Sequence, residues 1–335
     1  MITIQQIARE AGVSTATVSR VFGNHPNVKA DIRNRVFEVA RSHGYFPRVS
    51  TRRRNVILIT PSWAEYPVQN YVEMVVSNLA RELSKRGYRI EILPDDSLDR
   101  LDSIQFCGAI RIGSGESPKP NWGVQFDAPL IVIDRELANA QANIFSVRSN
   151  EAQGMELAID YLLKRGHRRI GSLVTLTKAG NPHPRAHYLE KALAARGLSP
   201  EAAPVRLVTE ENFVEEVGKL LRAKPDAIFS PGGSGGILTA YALSLYSRRI
   251  PEDISLVASE RSMISRYCVP PQTAITQDYG ALASVAVDII DARLRKQLFA
   301  QETVLNYQLI ERDSVATRSA GSPDPDVATA RESPR

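Results

Sequence analysis

Near the start of the sequence, the stretch GVSTATVSRVFGNHPNV at residues 12–28 brings together side chains able to read a base edge. Arg20 carries a fork of donors that can bridge the O6 and N7 acceptors of guanine, and Thr15 and Ala16 can offer a hydroxyl and methyls to neighbouring bases. Spacing alone leaves a second reading open, in which Arg20 is a solvated surface arginine. Elsewhere the chemistry is thin. The five histidines, at 25, 43, 167, 183 and 187, show no metal-ligand spacing, and His183 and His187 flank Pro184, which argues against one regular helical face. The run SPGGSGG at 230–236 lacks the Lys-Ser/Thr of a Walker loop and the spacing of a dinucleotide fingerprint. It reads as a strand-to-helix turn, although free N–H groups at a helix start would suit an anion. No nucleophile, base and acid set is legible, so no enzyme, cofactor or metal is expected.

Holding Thr15, Ala16 and Arg20 in place requires a small helical frame. Ile4, Ile7, Ala8 and Ala11 follow i, i+3, i+4, i+7 spacing behind a capping Thr3, which predicts a helix over 4–11 closed by Gly12. Ser14 can cap a second helix through Phe22, with Val18, Val21 and Phe22 turned inward and Thr15, Ala16, Ser19 and Arg20 outward. Ile32, Val36, Val39 and Ala40 mark a third helix, ended by Gly44. Three short helices with the second presenting its first turn make a helix-turn-helix head.

The charge is unevenly placed. Residues 1–54 hold ten basic against three acidic side chains, leaving thirty-two against thirty-four for the rest of the 335 residues. A compact cationic segment on a near-neutral body fits nucleic-acid binding through counterion release, and on charge alone it equally fits a solvated basic face. The 43% apolar content and the lack of a run of about 20 apolar residues exclude a membrane-spanning helix. The start MITIQQIARE reads as no secretory signal, and Cys107 and Cys268 fit core thiols, so a reducing cytoplasm is expected.

From Val56 onward, apolar strand-like runs alternate with helical periods, as in NVILITP, YRIEILP, CGAIRIG, PLIVIDR, RRIGSLV, APVRLV, DAIFSP and ISLVAS. Helices are expected near 68–86, 153–165, 188–196, 213–222, 238–248 and 281–296. Such alternation predicts parallel sheets covered by helices, in two doubly wound subdomains with a cleft at the carboxyl ends of the strands. The stretch between Leu93 and Gly108 has room for a brief helical turn at most. Residues 321–335, GSPDPDVATARESPR, show no apolar period or heptads and read as a disordered tail.

The segment TIQQIAREAGVSTATVSRVFGNHPNVKADIRNRVFEVARSHGYFP, residues 3–47, closely resembles the DNA-binding head of the LacI/GalR (lactose-repressor) family of bacterial transcription regulators. Body stretches continue the likeness in order to about residue 316: PLIVIDR, GHRRIGSL, RIPEDISLVA, TAITQDYGAL and LIERDSVA. The resemblance implies a helix-turn-helix head at 1–47, a linker at 48–55, a periplasmic-binding-protein-like effector and dimerisation body at 56–316, and a tail at 317–335. It implies a homodimeric repressor of a palindromic operator on double-stranded DNA, governed by a sugar or an anionic sugar derivative and without membrane association. The alternative is a cytoplasmic solute-binding protein or sugar-processing enzyme on the same body fold, for which the head would be superfluous.

Carried over residue by residue, the resemblance assigns base reading to Thr15, Ala16 and Arg20. Phosphate contacts fall to Ser14, Thr17, Ser19, Asn24 and Val28, with Lys29 as an added candidate where the family usually has a capping serine. The linker departs from the pattern. It has no leucine, Val49 is its one apolar candidate for a wedge, and Arg52, Arg53 and Arg54 read either as a phosphate or minor-groove arm or as a flexible basic tether. For the effector, the resemblance assigns Tyr71, Asp134, Arg135, Arg185, Glu260, Gln277 and Asp278, and Trp63 either as a stacking platform or as cleft-edge packing. SPGGSGG and the stretch at 148–150 lack the family's usual aspartates, while Arg111, Arg135, Arg148, Arg185 and Arg261 add positive charge. An anionic effector fits this balance, and so does a cleft that binds nothing.

Overall fold

The computed structural model describes residues 2–22, 28–45, 55–62, 70–113, 122–137, 142–176, 183–260 and 264–318. Asn24, Val49, Arg52, Arg53, Arg54, Trp63, Arg261 and the tail beyond 318 lie outside the described residues.

The head forms from local contacts. Helix α1 spans Ile4–Glu10, α2 Thr15–Phe22 and α3 Ala30–Ser42. Thr3 and Gln6 close α1 with a reciprocal capping box, in which the Gln6 N–H donates to Thr3 Oγ1 at 3.3 Å and the Thr3 N–H to Gln6 Oε1 at 2.8 Å. Ile7, Ala8, Ala11, Val18, Val21, Val36 and Ala40 are buried together, and Phe22 packs on Phe37 and Tyr45 with ring centroids 5.9 and 5.7 Å apart. So small a core carries limited stability by itself.

Beyond the head the chain divides into two α/β units, passing between them after Arg148, Asp278 and Val304. In the first unit, β1 (Asn55–Thr60), α4 (Asn70–Lys85), β2 (Arg89–Pro94), β3 (Gly108–Arg111), α5 (Trp122–Gln125), β4 (Leu130–Ile133) and β5 (Ile144–Ser149) are joined by the returning α10 (Tyr279–Leu294) and β11 (Glu302–Leu305). The sheet order is β11-β5-β4-β3-β1-β2, with β1 parallel to both β2 and β3.

The second unit repeats the plan. It holds α6 (Glu151–Lys164), β6 (Ile170–Thr175), α7 (Pro184–Ala195), β7 (Val205–Val208), α8 (Phe213–Leu221), β8 (Ala227–Ser230), α9 (Gly235–Leu245), β9 (Ser255–Ser259), β10 (Thr273–Thr276) and β12 (Gln308–Ile310). Its order is β12-β10-β9-β8-β6-β7, with the short β12 antiparallel to β10. Strands such as Ala227–Ser230 are buried along their whole length, as expected for a sheet covered on both faces. Each sheet reverses direction of growth beside its first strand, between β1 and β3 and between β6 and β8. Open α/β sheets bind ligands at the carboxyl ends of the strands around such switch points.

Four expectations are corrected by these elements. Pro184 occupies the first turn of α7, where its missing N–H is no loss, and His183, extended and outside the helix, caps it by accepting from the Arg185 N–H at 3.2 Å, so His183 and His187 do not share one helical face. Helix α7 therefore starts four residues before the apolar period suggests. Residues Asp95–Ser103 form more than one brief turn, a nine-residue 3-10 stretch bent at Ser97. The strands Ile144–Ser149, Glu302–Leu305 and Gln308–Ile310 escaped the strand pattern, the last two because they are short and only half-buried. Gly235 and Gly236 open α9, three residues earlier than the period of Leu238 implies.

Candidate DNA-reading face and small-molecule site

On α2, Thr15, Ala16, Ser19 and Arg20 are exposed while Val18 and Val21 on the opposite side are fully buried. Arg20 makes no ion pair or hydrogen bond with the described residues. Ser14 Oγ accepts from the Thr17 N–H at 3.1 Å and lies 2.9 Å from Thr17 Oγ1, so these two hydroxyls set the start of the helix. Lys29 stands exposed at the start of α3 without capping it by its side chain, and the Val28 side chain packs against the head core. A helix thus fixed from behind presents its first turns and one arginine outward.

In the first unit, Tyr71 at the start of α4 donates to Asp134 Oδ2 at 2.5 Å. Asp134 follows β4 with φ of 51°, a left-handed conformation that aspartate tolerates better than most residues. The next carbonyl, of Arg135, accepts from Ser146 Oγ at 2.5 Å. Arg111 ends β3 almost fully buried, 3.9 Å from Asp95, whose other oxygen accepts from the Ser62 N–H at 3.0 Å. Arg148 is paired with Glu302 at 2.6 Å.

The second unit builds a tighter arrangement. Arg185, in the first turn of α7, donates from Nε and Nη2 to the two oxygens of Glu151 at 2.6 and 2.7 Å, and Tyr307 donates its hydroxyl to Glu151 Oε1 at 2.9 Å. Arg185 is 12% and Glu151 22% exposed. Burial pushes the Glu151 carboxyl up, but the charge and hydrogen bonds of Arg185, aided by the Tyr307 hydroxyl, hold it below the usual carboxylate range. Position favours this too, since Glu151 lies in the first turn of α6, capped by Asn150 through the Gln153 N–H. Tyr307 is itself fixed: its N–H donates to Gln153 Oε1, and its ring lies so close to Gly154 that an added Cβ would sit 2.8 Å from it. The Arg185 Nη1 edge faces Gly232, where a Cβ would come within 2.6 Å of it.

Three other predicted positions sit in the same unit. Gln277 is buried and donates to Ser149 Oγ at 2.8 Å, and Asp278 follows it half-buried. Glu260 is 7% exposed and committed to Arg312 at 2.6 Å, while also accepting from the Ser265 N–H. The histidine of GHRRI, His167, is fully buried with Nδ1 3.1 Å from Asp226 and Nε2 3.0 Å from the Ala316 carbonyl, which ties the start of β6 to β8 and the last strand region. Among the described residues no cluster of three or more His, Cys, Asp and Glu could hold a metal ion, and no helix is long and apolar enough to cross a membrane.

Two family models match this chain: bacterial regulatory proteins of the lacI family over residues 3–48, and the periplasmic binding protein-like domain over 159–315. The chain thus carries a lacI-type regulatory head and a periplasmic binding protein-like domain. Its curated relatives include the HTH-type transcriptional repressor PurR of Edwardsiella ictaluri, 27% identical over 94% of this chain and 97% of the relative. The ribose operon repressor of Haemophilus influenzae is 25% identical over 94% of this chain and 99% of its own length. Among solved structures, the lac repressor dimer bound to operator and the anti-inducer ONPF matches 94% of this chain and 99% of that one, with a TM-score of 0.66 and 19% identity. At that identity the likeness is one of fold, and it extends from head to body.

Within the second unit the structure brings Arg185 together with two side chains that sequence reasoning passed over, Glu151 and Tyr307. Glu151 was hidden because the apolar period of α6 starts later, placing the carboxylate ahead of the predicted helix. Asn150 followed by an acidic residue was the available signal, an N-cap with a charge in the first turn. Tyr307 and Arg312 follow short edge strands that no periodicity marks.

Proposed function

We propose that the chain is a repressor that binds a palindromic operator as a homodimer, reads bases through Thr15, Ala16 and Arg20, and senses a small hydroxyl-bearing effector in its two α/β units. The observation that carries this reading is the outward face of α2, polar and cationic over a buried apolar back. Phosphates would be met by Ser14, Thr17, Ser19, the Val28 backbone and Lys29, with Asn24 and the Arg52, Arg53 and Arg54 run joining from the segments outside the described residues. The repressor names of the relatives support the direction of control, and the ribose operon repressor supports a sugar as effector class. Effector contacts are proposed for Trp63, Tyr71, Asp134, Arg135, Arg185, Gln277 and Asp278. Glu260, held by Arg312, would act by shaping the loop before β10. No catalytic step is assigned to these groups, and the cytoplasm suits a DNA-binding regulator.

A dimer is supported by an exposed apolar stripe on α9, where Ile237, Tyr241 and Leu245 are 40%, 56% and 55% exposed at one-turn intervals, and by the exposed Tyr267 and Val269 between β9 and β10. Two heads joined by two-fold symmetry read both halves of a palindrome. The test is selection of duplexes from a randomised palindromic pool, followed by gel shift and sedimentation. One recurring half-site, bound by two chains, is the expected result. Equal affinity for selected and random duplexes, or a monomer with and without DNA, would refute the reading.

A further inference from the structure

We infer that Glu151 is a built-in counter-ion that keeps Arg185 from clamping an anion, so that the effector accepted by this unit is uncharged and hydroxyl-bearing. This rests on the effector role proposed above and narrows its chemistry. The argument starts from the geometry of guanidinium. Its bidentate edge is what makes an arginine selective for carboxylate or phosphate. In this chain that edge, Nε and Nη2, is filled by the two oxygens of Glu151 at 2.6 and 2.7 Å.

The partner carboxylate is held from the other sides as well. Tyr307 donates to Oε1 at 2.9 Å, and the first turn of α6 favours a negative charge. An arriving anion would meet Glu151 beside the arginine, and like charges at a shared site disfavour one another. A neutral ligand meets no such penalty. Its hydroxyls can donate to the lone pairs that Glu151 keeps outside the fork, while Arg185 Nη1 packs against Gly232, where an added Cβ would come within 2.6 Å. The excess of arginines in the sequence thus overstates the charge offered: Arg148 and Arg312 are likewise paired, with Glu302 and Glu260.

The experiment titrates inorganic phosphate, with D-ribose as the neutral probe, into the full-length protein and follows binding calorimetrically. Wild type should show no saturable phosphate response, and Glu151→Gln should gain one, at least about tenfold tighter than wild type and abolished by adding Arg185→Gln. If Glu151→Gln does not fold, Glu151→Ser, which likewise removes the negative charge, carries the same expectation. Arg185-dependent phosphate binding by wild type, or no gain in the folded Glu151 variant, would overturn the inference while leaving the effector role standing. A phosphate gain without any ribose response would uphold the counter-ion and direct the search to another neutral ligand.

Discussion

Two helix-borne arginines, Arg20 in the last turn of α2 and Arg185 in the first turn of α7, have opposite surroundings. Arg20 is exposed and meets no partner among the described residues, within a segment holding ten basic and three acidic side chains. Arg185 is almost buried and bound at two points to Glu151. The difference lies in what faces them. A guanidinium left in water on a cationic surface keeps its donors for an outside acceptor such as DNA, where counterion release adds to the attraction. One enclosed with a carboxylate becomes part of the scaffold, and its charge is cancelled locally. The same residue type serves recognition in one region and mainly organisation in the other.

The comparison is most strongly tested by removing Glu151. Glu151→Ala leaves a buried, unpaired guanidinium and should lower the stability of the second unit by about 3–5 kcal/mol in urea unfolding, whereas Arg20→Ala should change stability by less than about 0.5 kcal/mol. Joint replacement of Glu151 and Arg185 by methionine should recover most of the loss. Equal losses in the single and double variants would mean that packing, not charge pairing, holds this corner.

Acid should reveal the same contrast. Glu151 and Asp226 both titrate below the usual carboxylate range in the folded chain. For Asp226 burial acts upward but is outweighed by hydrogen bonds from His167 and from the backbone N–H groups of Arg168 and Arg169. A depressed folded value means the unfolded chain takes up protons first, so the stabilisation is complete above the unfolded values near pH 4 and is lost as pH falls through the lower folded values. Stability of the second unit should therefore be flat above roughly pH 5 and fall below it, with a shallower fall in Asp226→Asn. An unchanged slope in that variant would remove Asp226 from the account.

How far these features were legible follows from the range of the contacts. The head was readable because Thr3, Ile7, Val18 and Val36 act through caps and one-turn spacings, all local. The buried strands were readable because NVILIT and AIFS are apolar almost throughout. What escaped depends on distant partners. Glu151 meets Arg185 across 34 residues and Tyr307 across 156, and neither separation leaves a period in the sequence. The likeness to a family supplied Arg185 but not its carboxylate, so the sequence left a sugar, an anionic sugar derivative and an empty cleft open together.

A smaller effect is expected at the recognition face. Arg20→Ala should weaken operator binding by about 1–3 kcal/mol and relax preference at one position per half-site, leaving affinity for random DNA nearly unchanged. Fluorescence anisotropy on single-base operator variants measures both. A uniform loss on specific and random DNA would recast Arg20 as a phosphate contact, and the contrast with Arg185 would then concern only exposure.

The smallest effect tests whether the exposed face depends on the frame behind it. Thr3 satisfies one of the unpaired N–H groups at the start of α1 and receives the Gln6 side chain in return, so Thr3→Ala removes the side-chain half of the box and should weaken the helix by roughly 1 kcal/mol. In a head whose core is a handful of small and β-branched side chains, that loss should appear as faster hydrogen exchange of the α1 amides, while amides of β8 and β9 in the second unit keep their protection. Operator affinity should fall by less than in Arg20→Ala, because the α2 face remains chemically intact and only the fraction of folded heads declines. Should Thr3→Ala instead match Arg20→Ala in lost base preference, the orientation of α2 would depend on the α1 cap, and the reading face would have to be defined as α1 and α2 together.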